Sequence, residues 1–170
     1  MTSQRILLAG GLLLFLLSAF AGLYYDLVLR PEQHLAASYT LDMALNMATK
    51  GDPAMAAAFA GEFASLSLLQ EIYARLPLHL AFAGAAAIAP VWITARLDAS
   101  ERLKKLLALL IVAGGLLLGA GDLVQIMGHT LPGRYIVLSG YSWIALGLGA
   151  FSLYGGLFIW LNMEPQAKRR

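Results

Sequence analysis

The sequence predicts an all-α integral membrane protein: four transmembrane helices in a bundle, with an outer-side αα-hairpin between spans one and two. Three observations lead there. Mean hydropathy is +0.71, with 59% hydrophobic and 13% charged residues. A soluble domain carries roughly 25% charged residues, so this chain has too little charge to cover a water-facing surface. Its apolar runs reach the roughly 20 residues needed to cross hydrocarbon, and short polar segments separate them. The whole chain, 1–170, reads as one domain.

Span one covers about 6–29, interrupted only by Ser18, glycines and Asp26. A cleavable signal peptide competes for this stretch, with Arg5 ahead of Ile6–Leu17 and Ala19-Phe20-Ala21 resembling a cleavage site. The apolar run continues through Gly22-Leu23-Tyr24-Tyr25, which favours a retained anchor. Tyr24 and Tyr25 fall where an interfacial aromatic belt would lie. Arg30-Pro31 is expected to end the helix, because the residue before proline avoids the helical region.

The polar stretch 31–76 reads as the hairpin. Glu32–Lys50 places Leu35, Tyr39, Met43 and Met47 at i, i+4 spacing. The Met43/Met47 pair reads as apolar packing in preference to a thioether copper site. In Gly51-Asp52-Pro53, glycine closes one helix, aspartate caps the next and proline takes its first position. Pro53–Leu76 follows as an alanine-rich helix. The pair is expected to lie against the membrane surface or the bundle mouth.

Leu76-Pro77 is expected to bend the chain into span two, about 78–96, within which Pro90 is tolerated. Asp98–Lys105 is a charged loop with Ser100 as a cap. Span three covers about 105–128, Leu131-Pro132-Gly133-Arg134 reads as a tight turn, and span four covers about 136–161. Glycines in spans three and four allow close helix approach.

Lysine and arginine set the orientation. Arg5, Arg96, Arg102, Lys104, Lys105, Lys168, Arg169 and Arg170 fall on one side, eight of the twelve basic residues. The positive-inside rule then places both termini in the cytoplasm of a bacterial-type inner membrane, with the hairpin outside. Basic residues at helix ends argue against a nucleic-acid surface. The absence of cysteine removes disulfides, thiolate metal centres, iron–sulfur clusters and CxxCH haem attachment.

The chemistry collects at the outer side. A carboxylate within a membrane-spanning helix is costly and marks a functional candidate, which singles out Asp122. Asp122, Gln125 and His129 are spaced i, i+3, i+7 on one helix face. His79 begins span two, His34 follows span one, and Asp26 lies near the outer end of span one. His79, His129, Asp122 and Gln125 are the candidate cofactor-binding residues. His79, His129, Asp122, Asp26 and His34 are the candidate metal ligands. Imidazoles at His79 and His129 suit a haem b, or a copper or zinc ion completed by a carboxylate. A quinone is a variant of the same redox reading. Each residue also has a structural explanation: Asp26 pairing with Arg30, or Asp122 bonding to Ser139, Ser142 or Tyr141. No GxSxG, HExxH or Walker motif is present, and no catalytic residue is marked out. The alternatives are an accessory or scaffold subunit of a larger membrane complex, or a small-molecule transporter. The expected partners are the lipid bilayer and a membrane protein or second copy of the chain. No resemblance to a known family is carried by these residues.

Overall fold

The computed structural model describes the backbone of residues 2–97 and 99–163, and side chains through Gly156. The described residues form helices joined by short turns. These are α1 (Ser3–Tyr24), a π turn (Tyr25–Leu29), α2 (Arg30–Thr49), α3 (Pro53–Ile88), the single turn α4 (Val91–Thr94), α5 (Glu101–Ile126) and α6 (Thr130–Met163). Four helical stretches are long and apolar enough to cross a membrane: Ser3–Thr49, Pro53–Thr94, Glu101–Ile126 and Thr130–Gly156. The basic tail Lys168-Arg169-Arg170, on which the orientation partly rests, lies outside the described residues.

The prolines behave differently from expectation. Pro31 does not end the first helix. The backbone runs helically from Ser3 to Thr49, and Arg30 itself is helical (φ −59°, ψ −43°). The turn before it is widened, and Arg30 N–H donates to the Tyr25 carbonyl five residues back. A π turn already leaves backbone groups outside the i→i−4 ladder, so the N–H that Pro31 lacks is not missed there. Pro77 does not separate the hairpin from span two either, and α3 is one 36-residue helix through it. The Ser18 hydroxyl of α1 donates to the Pro77 carbonyl at 2.8 Å. Pro90 is the proline that interrupts, with α3 stopping at Ile88 and α4 restarting at Val91. Pro132 lies in the first turn of α6, where backbone N–H groups have no intrahelical partner. The tight turn is Met127-Gly128-His129 instead, with Gly128 at φ +92°.

Other punctuation matches expectation. Gly51 takes φ +78°, and Asp52 caps α3 by accepting from Met55 N–H at 3.1 Å. Ser100 caps α5 by accepting from Leu103 N–H. The hairpin of α2 and the first half of α3 is continuous in helical backbone with α1 and with the second half of α3. At 1.5 Å per residue, the 47-residue stretch is about 70 Å long, against a hydrocarbon core of roughly 30 Å.

α1, α3 and α5 pack on one another, and α6 lies along α5, reaching α3 and α4 at few points. The core is Leu7 and Leu14 of α1, Leu80 and Ala83 of α3, Ile111 and Leu118 of α5, and Ile144 and Phe151 of α6. The α5–α6 contact is backbone on backbone. A methyl group on Gly114 would come within 2.8 Å of the Gly140 carbonyl oxygen, and one on Gly121 within 2.8 Å of the Gly133 carbonyl oxygen. Both pairs sum to 254 (114 + 140, 121 + 133), so the antiparallel register is constant over seven residues.

The N-terminus of α1 is tied to α5. Ser3 N–H donates to Glu101 Oε1 at 2.6 Å. That bond, aided by nearby Lys105 and Lys104, holds the Glu101 carboxyl below its ordinary value. A lowered carboxyl stabilises the fold above its unfolded value and loses that contribution as pH falls through the folded one.

Two outcomes are expected. Gly140→Ala should lower stability by about 1–3 kcal/mol through overpacking, read as a lower thermal midpoint in detergent. Gly149→Ala, which meets no atom within 4 Å, should change little, and equal effects would remove the seam argument. The wild type should be more stable than Glu101→Gln at neutral pH, and the gap should close below about pH 4. A gap independent of pH would sink the Ser3–Glu101 link.

Candidate functional site

Because α6 packs on α5 and stands off from α3, a cleft remains between the three helices. It has a volume of ≈ 210 Å³. Arg75 and His79 of α3 line one side, Asp122 and Gln125 of α5 the floor, and Arg134 and Tyr141 of α6 the other side, with Val137 and Leu138 between them. Arg75 and His79 share a face of α3 by their i, i+4 spacing.

At the centre, His79 Nδ1 lies 2.6 Å from Asp122 Oδ2. Asp122 is 1% exposed and the His79 side chain 16% exposed. An ionised carboxylate only accepts hydrogen bonds, so with Asp122 charged the proton sits on Nδ1, and Nε2 is left for a ligand. Among the described residues Nε2 has no protein partner. A buried carboxylate without a partner is strongly unfavourable, so this bond accounts for Asp122 surviving in an apolar helix. It also joins α3 to α5. The Tyr141 ring meets the His79 ring edge to face at 5.5 Å and 83°, and Phe82 lies 6.0 Å from the same tyrosine. These contacts fix the imidazole plane from the α6 side.

Gln125 is buried one turn below Asp122, its amide donating to the Gly121 carbonyl at 3.4 Å. Arg75 pairs with Glu71 on its own helix at the cleft rim. Arg134 is exposed and has no ion-pair partner among the described residues.

The structure brings together three of the residues singled out from sequence, His79, Asp122 and Gln125. It places the others elsewhere. His129 is exposed in the turn after α5, past the last residue of that helix, and does not line the cleft. The i, i+7 spacing assumed a helix that continues to 129, and Gly128 ends it first. His34 is exposed on α2. Asp26 is exposed and forms the i, i+4 ion pair with Arg30 at 3.2 Å. Ser139 and Ser142 donate to carbonyls of their own helix, Tyr135 and Leu138, and so are not the partners of Asp122. Among the described residues no three His, Asp or Glu side chains gather as a metal site would require.

Sequence reasoning missed Arg75 and Arg134 as parts of the site, and it placed Tyr141 there only as a hydrogen-bond partner of Asp122, where it instead packs on the His79 ring. Arg75 could have been found from spacing, since it lies one turn from His79 on the same helix. Arg134 was hidden by reading Leu131–Arg134 as a turn.

No family model, curated protein or solved structure matches this chain.

If the His79–Asp122 bond holds α3 to α5, Asp122→Ala should destabilise the protein by about 1–3 kcal/mol, the cost of an unpaired buried polar group. Asp122→Asn keeps an acceptor and should recover at least half of that. Denaturant unfolding in micelles checks both, and an alanine variant as stable as wild type would refute the link.

Proposed function

We propose that the chain is a multi-pass protein of a bacterial-type inner membrane, with both termini cytoplasmic, whose outer-side cleft binds a quinone head group in a redox role. The observation that carries this reading is the buried carboxylate at 2.6 Å from a histidine that itself lines a cleft. Such a pair is a means of presenting one imidazole N–H, or accepting one proton, at a fixed point near the edge of an apolar layer.

A quinone needs hydrogen-bond donors at its carbonyl oxygens and protons when those oxygens are reduced. With Nδ1–H held by Asp122, the neutral ring carries its lone pair on Nε2, and His79 would donate from Nε2 to one quinone carbonyl only as the imidazolium. Asp122 would hold Nδ1–H and stabilise the imidazolium whenever the ring is protonated. Arg75 and Arg134 would favour negative charge on the head group and leave the proton path open to water at the rim. Val137, Leu138 and Tyr141 supply an apolar and aromatic wall. The electrons would come from a separate membrane redox protein, which keeps the accessory-subunit reading compatible with this one. Exposed Leu35, Tyr39 and Leu45 on α2 favour such a partner, since α2 rests chiefly on α3 and leaves these side chains uncovered. The haem b and copper or zinc expectations draw less support, because they need a second ligand beside His79 and the cleft offers none but Asp122.

Short-chain ubiquinone titrated into the purified protein and followed by calorimetry tests the proposal. His79→Ala should weaken binding by about tenfold or more, the worth of a hydrogen bond to a charged or polarised group. His129→Ala should leave it unchanged. Absorption spectra of the same sample, oxidised and dithionite-reduced, should show no Soret band. Quinone affinity indifferent to His79, or a haem spectrum lost in His79→Ala, would refute the quinone reading.

A further inference from the structure

Two further cavities lie about 20 Å from the His79 cleft, thirteen residues beyond His79 and ten to fourteen beyond Tyr141. One has a volume of ≈ 550 Å³ and is walled by Ile93, Leu97, Phe151 and Gly155. Its neighbour, ≈ 530 Å³, is lined by Gln4, Arg5, Leu8 and Val91. Trp92 and Arg96 line both. Pro90 interrupts α3 at this level, and the single turn α4 stands between α1 and α6. Gln4 ties α1 to α4 through the Val91 carbonyl. Trp92 is 81% exposed between the two cavities.

We propose that this is a binding site for one anionic phospholipid, with its phosphate between Arg5 and Arg96 and an acyl chain along the apolar cavity. The inference rests on the membrane insertion proposed above, and is independent of the quinone. Charge complementarity points to the occupant. At this end the sequence carries Arg5, Arg96, Arg102, Lys104 and Lys105 against Asp98 and Glu101, five bases less two acids, an excess of three. Lys104 is already engaged with the Leu97 carbonyl at 2.5 Å and Glu101 with Ser3, and of the arginines Arg5 and Arg96 line the cavities. Guanidinium groups match phosphate oxygens in a fork geometry, which a zwitterionic head group with its own ammonium satisfies less well. A tryptophan beside such arginines sits at the depth where head group meets chain. Basic pockets between helices on the cytoplasmic face meet the leaflet that carries anionic lipid.

The test uses Trp92 as the reporter. With Trp143→Phe and Trp160→Phe, Trp92 is the remaining tryptophan. The protein is placed in vesicles containing either chain-brominated phosphatidylglycerol or chain-brominated phosphatidylcholine, the balance being the unbrominated form of the other lipid. Quenching by the anionic lipid should exceed that by the zwitterionic one, with a relative affinity of about fivefold. Arg5→Gln with Arg96→Gln should bring the ratio close to one, and Arg5→Lys with Arg96→Lys should retain part of the preference. The comparison of lipids stands on the protein with native arginines, so failure of the glutamine variant to fold does not remove it. Strong and equal quenching by both lipids overturns the anionic site while leaving membrane insertion intact. No quenching by either overturns insertion and the site together.

Discussion

The close approach of α5 and α6 is the constraint on which the rest of the molecule depends. Two glycine pairs, Gly114 with Gly140 and Gly121 with Gly133, let the backbones touch where any side chain would hold them apart. Dispersion contacts summed over such a seam fix α6 on α5, whichever solvent surrounds the helices. That choice leaves α6 away from α3. The cleft beside His79 and the larger cavity beside Trp92 are each lined on one side by α6. The site geometry is therefore a by-product of small residues placed seven apart on another face.

Within that frame, polarity is distributed unevenly along the helices. At the His79 end, Arg75 is matched by Glu71, and Asp122 is matched by a histidine that can be neutral or charged. Arg134, at the same cleft, has no ion-pair partner among the described residues. At the Trp92 end the bases outnumber the acids, Lys104 closes the loop between α4 and α5 on the Leu97 carbonyl, and Glu101 holds the N-terminus of α1. The two proposed ligands follow this difference in charge: a quinone that would exchange protons at one end, and a lipid of fixed negative charge at the other.

Much of the helix content was legible because it follows from local rules. Apolar runs of membrane-spanning length, an Asp-Pro helix start after glycine and a serine cap each have a cause within a few residues. The prolines were not legible, since their effect is decided by neighbours. Pro31 is absorbed by a widened turn. Pro77 is held in a helix that packs against α1, α2 and α5, which offsets a penalty of about 3 kcal/mol for an interior proline. Pro90 is itself buried, and there the helix breaks, with α3 stopping at Ile88 and α4 restarting at Val91. Local preference for a bend was the same in all three cases.

The candidate site shows the same division. By itself the sequence determined that Asp122 needed a partner, because burial of a lone carboxylate in an apolar helix is too costly to leave uncompensated. It also determined that His79, Gln125 and Asp122 would lie in the same half of the helices. Only the tertiary structure decided that the partner is His79 and not Ser139, Ser142 or Tyr141, because it depends on the rotation of α3 against α5. It decided too that His129 falls outside, because a glycine at φ +92° ends α5 before the eighth residue of that face is reached. Spacing along one helix is a local property. Pairing between helices is set by how their faces pack, and forty-three residues separate His79 from Asp122 in the chain.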